Sequence, residues 1–541
     1  MHRIFVITIL LLLFSVGYAM PSVMASSPLD PPPLTIDTLD TPEIDSIDFF
    51  DEWDGEVEED DAQKILDSII VDSLLRDIDK MTDLDEVSIY GGDIPTISRS
   101  VSPTQTFSQE RIRHLRAVQV SDLLRHTAGV NVFDCGGIGG TKGFSIRGLG
   151  SQFTNLSIDG IDVSNCANGV TDLGQYLVSG NSYIYFSTAG LSTHLHTARS
   201  LAAGNAINIE TEVPIFTNGQ THNIKLGFEG GSQDMVAAYM QYEQQLTQKL
   251  TATAAATYLR SNGNYPFTQY YGPTTADTSA SGDRRNSQLW QLSAEGNIFY
   301  NISRRQSFTL KTRFTRSHHN LPGRVAFYDK ARPSATSEKS DYFAQFKYRA
   351  RLGNWGNEDA LQWQVVGKYQ YHNDAYNDSS IRSLHEPMRN TYQHQEGYLS
   401  TALFYNPFKP IKLSISQDGL VGQLNSNLRQ NNHALRLSSY TALSASFENS
   451  WLTLNANGVG TIIHEQVDDI NQTAQNQIQN ISPFVGFNIK PLSNVGLRLR
   501  GFYKESFQAP SFNELYYHAA TCPFATEHAL QRNIGLTFVT G

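Results

Sequence analysis

The sequence predicts an all-β transmembrane antiparallel β-barrel that follows an N-terminal α+β domain, and three observations carry that prediction. Beyond Glu212 the chain becomes a long succession of alternating segments of about ten residues separated by Asn-, Gly-, Asp- and Pro-rich turns. Aromatic residues reach 11%, as 28 Phe, 25 Tyr and 5 Trp, while charged residues are only 17% against a usual share of about 25%. The chain also opens with an export signal. After that leader no run approaches the ~18 to 20 apolar residues a spanning helix needs, which excludes a polytopic helical membrane protein.

The leader, residues 1–25, has His2-Arg3 as a basic start, Ile4–Val16 as an apolar stretch too short to span a bilayer, and Val23-Met24-Ala25 as a small-residue cleavage pattern, with Ala19 as an alternative. Residues 26–83 form an acidic linker. From Asp30 to Glu86 there are 21 acidic and three basic residues, so this stretch carries −18 of a formal total of −12 and the rest, at +6, is mildly basic. The linker contains one amphipathic pattern over Ala62–Met81, where Ile65, Leu66, Ile69, Ile70, Leu74, Leu75 and Ile78 recur at helical spacing. Such a helix docks a partner or covers a surface of its own chain. No clustered Lys and Arg suggests a nucleic-acid partner.

Residues 84–212 read as a compact α+β domain. Short β-like runs (Val87–Ile89, Val130–Val132, Phe144–Ile146, Leu156–Ile158, Ala206–Ile209) are interrupted by a helical stretch from Gln109 to His126, with Ile112, Leu115, Val118, Leu123 and Leu124 on one face. Asp159-Gly160 is a hairpin-turn dipeptide, and Arg147 stands among glycines, Gly143 and Gly148, that permit tight turns.

In residues 213–541 the clearest strand patterns are Asn223–Phe228, Ala237–Tyr242, Leu250–Leu259, Ser307–Phe314, Tyr342–Ala350, Leu361–Tyr371, Leu435–Phe447, Trp451–Val459 and Val495–Tyr503. One set, Phe343, Gln345, Lys347 and Arg349, alternates with Tyr342, Ala344, Phe346 and Tyr348. In water such a strand turns one face to a core; in a membrane it turns its apolar face to lipid. Periodicity alone does not separate the two readings. The number of long alternating strands, the aromatic excess and the export signal favour the membrane.

Chemistry-bearing motifs are scarce. There is no GxSxG, HExxH, P-loop or dinucleotide fingerprint, so no enzyme activity and no cofactor are expected. Among 15 histidines the close groupings are His194 with His196 and His318 with His319, neither with the company of a structural metal site.

Several segments, in order, resemble TonB-dependent outer-membrane receptors, in which an N-terminal plug fills a β-barrel. Leu84-Asp85-Glu86-Val87-Ser88-Ile89 is similar to the family's coupling box with the first plug strand; Gln109–Ile112, Val120–Leu124 and Ala128–Val132 follow its helix and "Gly-Val" stretch. Phe144–Gly150, containing Arg147 and Gly148, and Leu156–Val163, containing Asp159 and Gly160, resemble its "IRG" and "DG" strands. Ser506–Tyr517, with Phe507, Ala509, Pro510, Asn513, Leu515 and Tyr516, resembles its "FRAP" segment.

The resemblance implies a receptor in the outer membrane of a Gram-negative bacterium, in contact with outer-membrane lipid. It implies energised uptake of a scarce, bulky extracellular solute such as a ferric siderophore, haem or cobalamin, powered through TonB with ExbB and ExbD acting on Leu84–Ile89, and a plug-to-barrel contact at Arg147. Cys135 and Cys166 flank the two signature strands; in an exported chain they form a disulfide that clips the plug loops or stay as buried thiols. Cys522 has no evident partner. The rival readings are a non-energised adhesion or structural barrel, a soluble β-rich binding protein, and a non-functional receptor fragment. Departures from the family support the fragment. The residues after Glu212 suffice for roughly 14 to 16 strands, against about 22 in the family. The segment His518–Arg532 departs from the expected continuation, and the chain finishes on Thr540-Gly541 rather than on an aromatic strand end. The expectation is therefore an incomplete, C-terminally truncated barrel in which Asn533–Phe538 is again strand-like.

Overall fold

The computed structural model describes residues 100–541 except 136–140, 164–171, 179–181, 190–194, 217–218, 271–278, 323–333, 354–359, 384–385, 409, 429–432, 468–476, 493–495, 517–524 and 539–541. The leader, the linker and its helix, the coupling segment Leu84–Ile89, Cys166, His194 and Cys522 lie outside the described residues.

The α+β domain begins with β1 (Thr104–Phe107), α1 (Gln109–Leu115), α2 (Val120–Leu124), β2 (Val130–Cys135), β3 (Thr141–Ile146) and β4 (Leu149–Gly150). It continues through β5 (Thr154–Ile158), β6 (Ile161–Asp162), β7 (Ser182–Thr188), α3 (Ala198–Ala202) and β8 (Asn205–Thr211). One sheet has the order β1-β7-β8-β5-β6, with β5 and β8 parallel; β2-β3-β4 form a second. The stretch expected as continuous helix from Gln109 breaks at Arg116, whose φ is +49°. The break is held open by Asp122, whose carboxylate accepts the backbone N–H groups of Val118 (3.2 Å) and Gln119 (2.9 Å) and so starts α2 afresh. Helical periodicity survives the break because both helices turn the same apolar face to one core, built on Phe107, Leu123, Leu124, Ile146, Leu156 and Ile184.

The large sheet contains β9 (His222–Gly231), β10 (Met235–Thr247), β11 (Leu250–Ser261), β14 (Leu289–Ser303), β15 (Gln306–Asn320), β16 (Ala335–Arg351), β17 (Leu361–Ser383) and β18 (Glu386–Phe408). It is completed by β19 (Ile411–Ser426), β20 (Ala434–Glu448), β21 (Leu452–Gln466), β22 (Ile478–Ile489), β23 (Leu497–Gln508) and β24 (Glu527–Phe538). It is a 14-stranded antiparallel meander, and α4 (Phe512–Tyr516) lies before its last strand. A separate hairpin, β12 (Tyr265–Tyr270) with β13 (Ser279–Arg284), rises from the connection between β11 and β14. Tight turns join β10 to β11, β14 to β15, β18 to β19 and β20 to β21, whereas the connections at the opposite end are mostly long. Among the described residues β9 and β24 are the two edges and do not pair with one another, so the wall is open.

The orientation of side chains decides between the two readings of the alternating strands. On the outside, Leu443 is 60% exposed, Ile481 55% and Leu399 50%; on the inside, Lys504 is 1% exposed and Glu396 and Asp418 are fully buried. A soluble β protein does the reverse. An apolar outer band around a polar, filled interior is the pattern of a sheet that stands in lipid. On β16, Tyr342 is exposed while Phe343 and Gln345 are buried, and Phe343 enters the core of the α+β domain. No helix among the described residues is long and apolar enough to cross a membrane. Strands β17 and β18 run for 23 residues, well beyond the ~9 to 11 that span a bilayer. Their polar outer halves (Asn373–Ser383, Glu386–Gln395) mark where the apolar pattern stops.

Candidate functional site

The α+β domain sits against the inner face of the wall, and polar groups join the two. The Asp159-Gly160 turn is one joint. Both residues have positive φ, +52° and +81°, as a type I′ hairpin between β5 and β6 requires, and Gly160 meets that demand without a Cβ. The Asp159 carboxylate accepts the Thr211 backbone N–H at 2.7 Å and pairs with Lys311 of β15 at 3.1 Å; Lys311 also pairs with Glu295 of β14 at 3.1 Å. Lys347 of β16 donates to the Asp159 carbonyl at 2.7 Å, and Gln345 to the Ile158 carbonyl at 3.2 Å. Asp159 thus ties the end of β8 to two wall strands directly and, through Lys311, to a third. Beside it on β8, burial pushes the Glu210 carboxyl above its ordinary value; Lys347 opposes that shift and the Asp159 charge adds to it.

A second joint centres on Arg199 of α3. Its guanidinium pairs with Asp162 at 2.9 Å and with wall Glu396 at 3.3 Å, while Lys368 pairs with Glu396 at 2.7 Å and donates to the Asp162 carbonyl at 2.8 Å. Two cations and two carboxylates alternate here, all nearly removed from solvent. Arg147, the residue expected at a plug-to-barrel contact, is exposed. It occupies the β3–β4 turn at φ +49°, and its backbone N–H donates to the Gly129 carbonyl at 2.8 Å. Its side chain lies over Gly129, where an added Cβ would come within 3.2 Å of it. Gly148 follows at φ +84°. Among the described residues no wall carboxylate pairs with Arg147; Arg199 makes that kind of contact instead.

The Phe507–Tyr516 segment anchors the top of β23. Ala509 is buried, and the Pro510 carbonyl accepts Arg436 of β20 at 2.5 Å; the same guanidinium pairs with Glu465 and lies 4.8 Å over the Phe512 ring. Ser511 and Glu514 cap α4 reciprocally: the Ser511 N–H donates to the Glu514 carboxylate at 2.7 Å, and the Glu514 N–H to the Ser511 hydroxyl at 3.3 Å. Leu515 packs beside Phe512, Asn513 is half-buried, the Phe507 ring lies 6.3 Å from His528, and Tyr516 ends the helix. Cys135 closes β2; its pairing with Cys166 lies outside the described residues.

At the end with the long connections, a cavity of about 220 Å³ opens between the domain apex and the wall. Gln119, Asp172 and Gln175 line it from one side, and His319, Lys339 and Tyr376 from the other. Lys339 pairs with Asp172 at 3.3 Å across it. His318 faces Glu338 at 3.4 Å, a carboxylate that sequence spacing had not supplied. Among the described residues no group of three His, Cys, Asp or Glu side chains could hold a metal ion.

Sequence reasoning missed Lys311, Lys368, Glu396, Asp418, Arg436 and Lys504. Their signal was present as charges on the inward parity of lipid-facing strands, which in a barrel have nowhere to go but the filling.

Residues 96–190 match the family described as TonB-dependent Receptor Plug Domain. Several solved structures share this fold over about four fifths of the chain. The copper transporter OprC superposes with a TM-score of 0.64 at 11% identity, over 80% of this chain and 68% of its own. The ferric citrate transporter FecA in the unliganded form gives 0.63 at 12%, over 82% and 68%. The siderophore receptor PiuA from Acinetobacter baumannii gives 0.60 at 12%, over 84% and 73%. The chain therefore spans about two thirds of the length of the first two, and identities this low establish the fold alone. Its N-terminal domain is a TonB-dependent receptor plug, seated in the plug-and-barrel fold of the TonB-dependent receptors.

Proposed function

We propose that this chain acts as an energised receptor in the outer membrane of a Gram-negative cell. A solute binds from the loop side at the cavity edged by Gln119, Asp172, Gln175, His319 and Lys339. It is released inward when TonB, driven by ExbB and ExbD, pulls on Leu84–Ile89. The observation that carries this reading is the seam itself: a plug held inside a lipid-facing wall by ion pairs and hydrogen bonds, with only small apolar patches between them. Polar contacts of this kind can be handed over to water when the plug shifts, whereas a broad apolar seam would expose greasy surface to the lumen. The solute class is a metal-bearing chelate or macrocycle, a ferric siderophore, haem or cobalamin. The likeness to copper, siderophore and ferric citrate transporters supports the metal-bearing part of that reading.

The test is a deletion of Leu84–Ile89 in cells that depend on this chain, with uptake and surface binding of labelled ferric chelates, haem and cobalamin measured separately. Energised transport requires uptake to stop while binding persists. Undiminished uptake would identify a passive barrel, and binding of none of the probes would remove the proposed solute class.

A further inference from the structure

The single turn of α3 meets the wall at both ends, and what meets it is charged. At its N-terminal end the fully buried Asp418 carboxylate of β19 accepts the Arg199 backbone N–H at 2.7 Å and the Tyr398 hydroxyl at 2.7 Å. At its C-terminal end Lys504 of β23 donates to the Leu201 carbonyl at 2.9 Å and to the Ala189 carbonyl at 3.2 Å. Between them Ala198, Leu201 and Ala202 pack on Ala442 and Val459 of the wall.

The pairing is chemically matched in both directions. Helix ends leave N–H groups at the start and carbonyls at the finish without intrahelical partners, and a carboxylate and an ammonium are strong partners for them. Conversely, among the described residues no cationic side chain pairs with Asp418 and no carboxylate pairs with Lys504. A buried charge with neither a counter-ion nor hydrogen bonds is very costly; both hydrogen bonds of Lys504 go to the plug, and Asp418 adds one from α3 to the one it takes from wall Tyr398, so each wall group is better satisfied while α3 is in place. Reversing the helix would set the carboxylate against carbonyls and the ammonium against N–H groups.

The opposite flank of the plug is held differently. The Lys339–Asp172 pair is partly exposed, with side chains 25% and 17% accessible. The Gln175 carbonyl is reached by Gln291 at 3.0 Å and by Arg313 at 3.1 Å at the border of the loop-side cavity. Water in that cavity can replace the Lys339–Asp172 contact as it opens, whereas Gln291 and Arg313 are buried.

We propose that Asp418 and Lys504 are positioning residues that form a charge-matched seat for α3, so that α3 is the fixed point of the plug and the Asp172–Tyr176 segment parts from the wall first. The seat is independent of the transport reading, since it needs neither TonB nor a solute. Amide hydrogen exchange on the full chain folded in detergent micelles tests it, with folding checked by heat-modifiable gel migration. Amides of Arg199–Ala202 are expected to exchange at least about tenfold more slowly than those of Gly174–Tyr176, the factor that about 1.4 kcal/mol of extra opening cost gives. Lys504→Met and Asp418→Asn should each speed exchange at Arg199–Ala202 and leave Gly174–Tyr176 unchanged, while Lys339→Met should do the reverse. Equal exchange in the two segments of the unaltered protein overturns the proposal, as does a Lys504→Met effect spread evenly over the plug. The comparison within the unaltered protein decides the matter even where a variant does not fold.

Discussion

Glu396→Gln is the sharpest probe of the seam. The Glu396 carboxylate is fully buried and compensates Lys368 at 2.7 Å and Arg199 at 3.3 Å. Gln keeps the shape and one acceptor but removes the charge, leaving the buried Lys368 ammonium with only neutral partners, the Asp162 carbonyl and the Gln370 amide oxygen at 3.1 Å. Breaking a buried pair from one side costs about 3 to 5 kcal/mol, chiefly because the other charge stays behind. With a urea dependence of about 1 to 3 kcal/mol per molar for a domain of this size, the midpoint for plug opening should fall by roughly 2 M. Pulse proteolysis across a urea series, scored on plug fragments while the barrel stays resistant, reads that midpoint. The double variant Glu396→Gln with Lys368→Met should recover part of the loss, because the orphaned ammonium is then gone. An unshifted midpoint in the single variant, or a double variant weaker than the single, refutes the claim that charge compensation holds this joint.

Further outcomes follow from the same structure. Gly160→Ala forces a side chain onto a residue at φ +81° and should lower plug stability by about 1 kcal/mol, read by the same proteolysis assay. Glu210→Gln should stabilise the plug more at pH 8 than at pH 5. The folded-state pKa of Glu210 is raised by burial, so the contribution of its protonated form is present at low pH and is lost as pH rises through that value; urea midpoints at the two pH values check the sign. Val421→Arg, on an outward position that is 48% exposed, should cost up to about 2 to 4 kcal/mol in bilayer refolding if it lies near the midplane, whereas Ser438→Arg on the inward face should act through the plug seam and not through lipid. Arg436→Lys loses the planar fork shared by Glu465 and the Pro510 carbonyl and should loosen α4, seen as faster chymotryptic cleavage after Phe512.

How far the sequence could be read depended on whether the information was local. The two faces of β16 follow from parity, since a strand has only two sides and Lys347 and Arg349 share one. The Asp159-Gly160 turn follows from a dipeptide that tolerates positive φ twice in succession. The break at Arg116 escaped notice because the apolar residues on either side keep helical spacing, while its cause is a side-chain cap from Asp122. The partners of Arg199 were illegible for a different reason: Glu396 and Asp418 lie about two hundred positions away and are brought beside it by strand register. Arg147 shows the converse, since a motif suggests a carboxylate partner on the wall, whereas its side chain lies over Gly129 with the like charge of wall Arg500 nearby.

A seam of buried ions is weak evidence for stability, because desolvation offsets most of the attraction. That is a reason to look for its use in registration. The wall must accept one plug, in one orientation, after both have left the unfolded state, and an apolar inner face would accept many. Lys311, Lys347 and Lys368 instead present three ammonium groups from separate strands to Asp159 and the backbone around it and Asp162, and each reaches these plug acceptors at a single placement of the β5–β6 turn. Displacing that turn by one residue would set ammonium groups against side chains and N–H donors and take Asp159 from Lys311 and the Asp162 carbonyl from Lys368, leaving each lysine with its wall carboxylate alone. The same arrangement explains why the seam can be both specific and reversible. Its selectivity comes from the penalty of misplacement, whereas the net attraction at the correct placement stays small enough for the contacts to be exchanged for water.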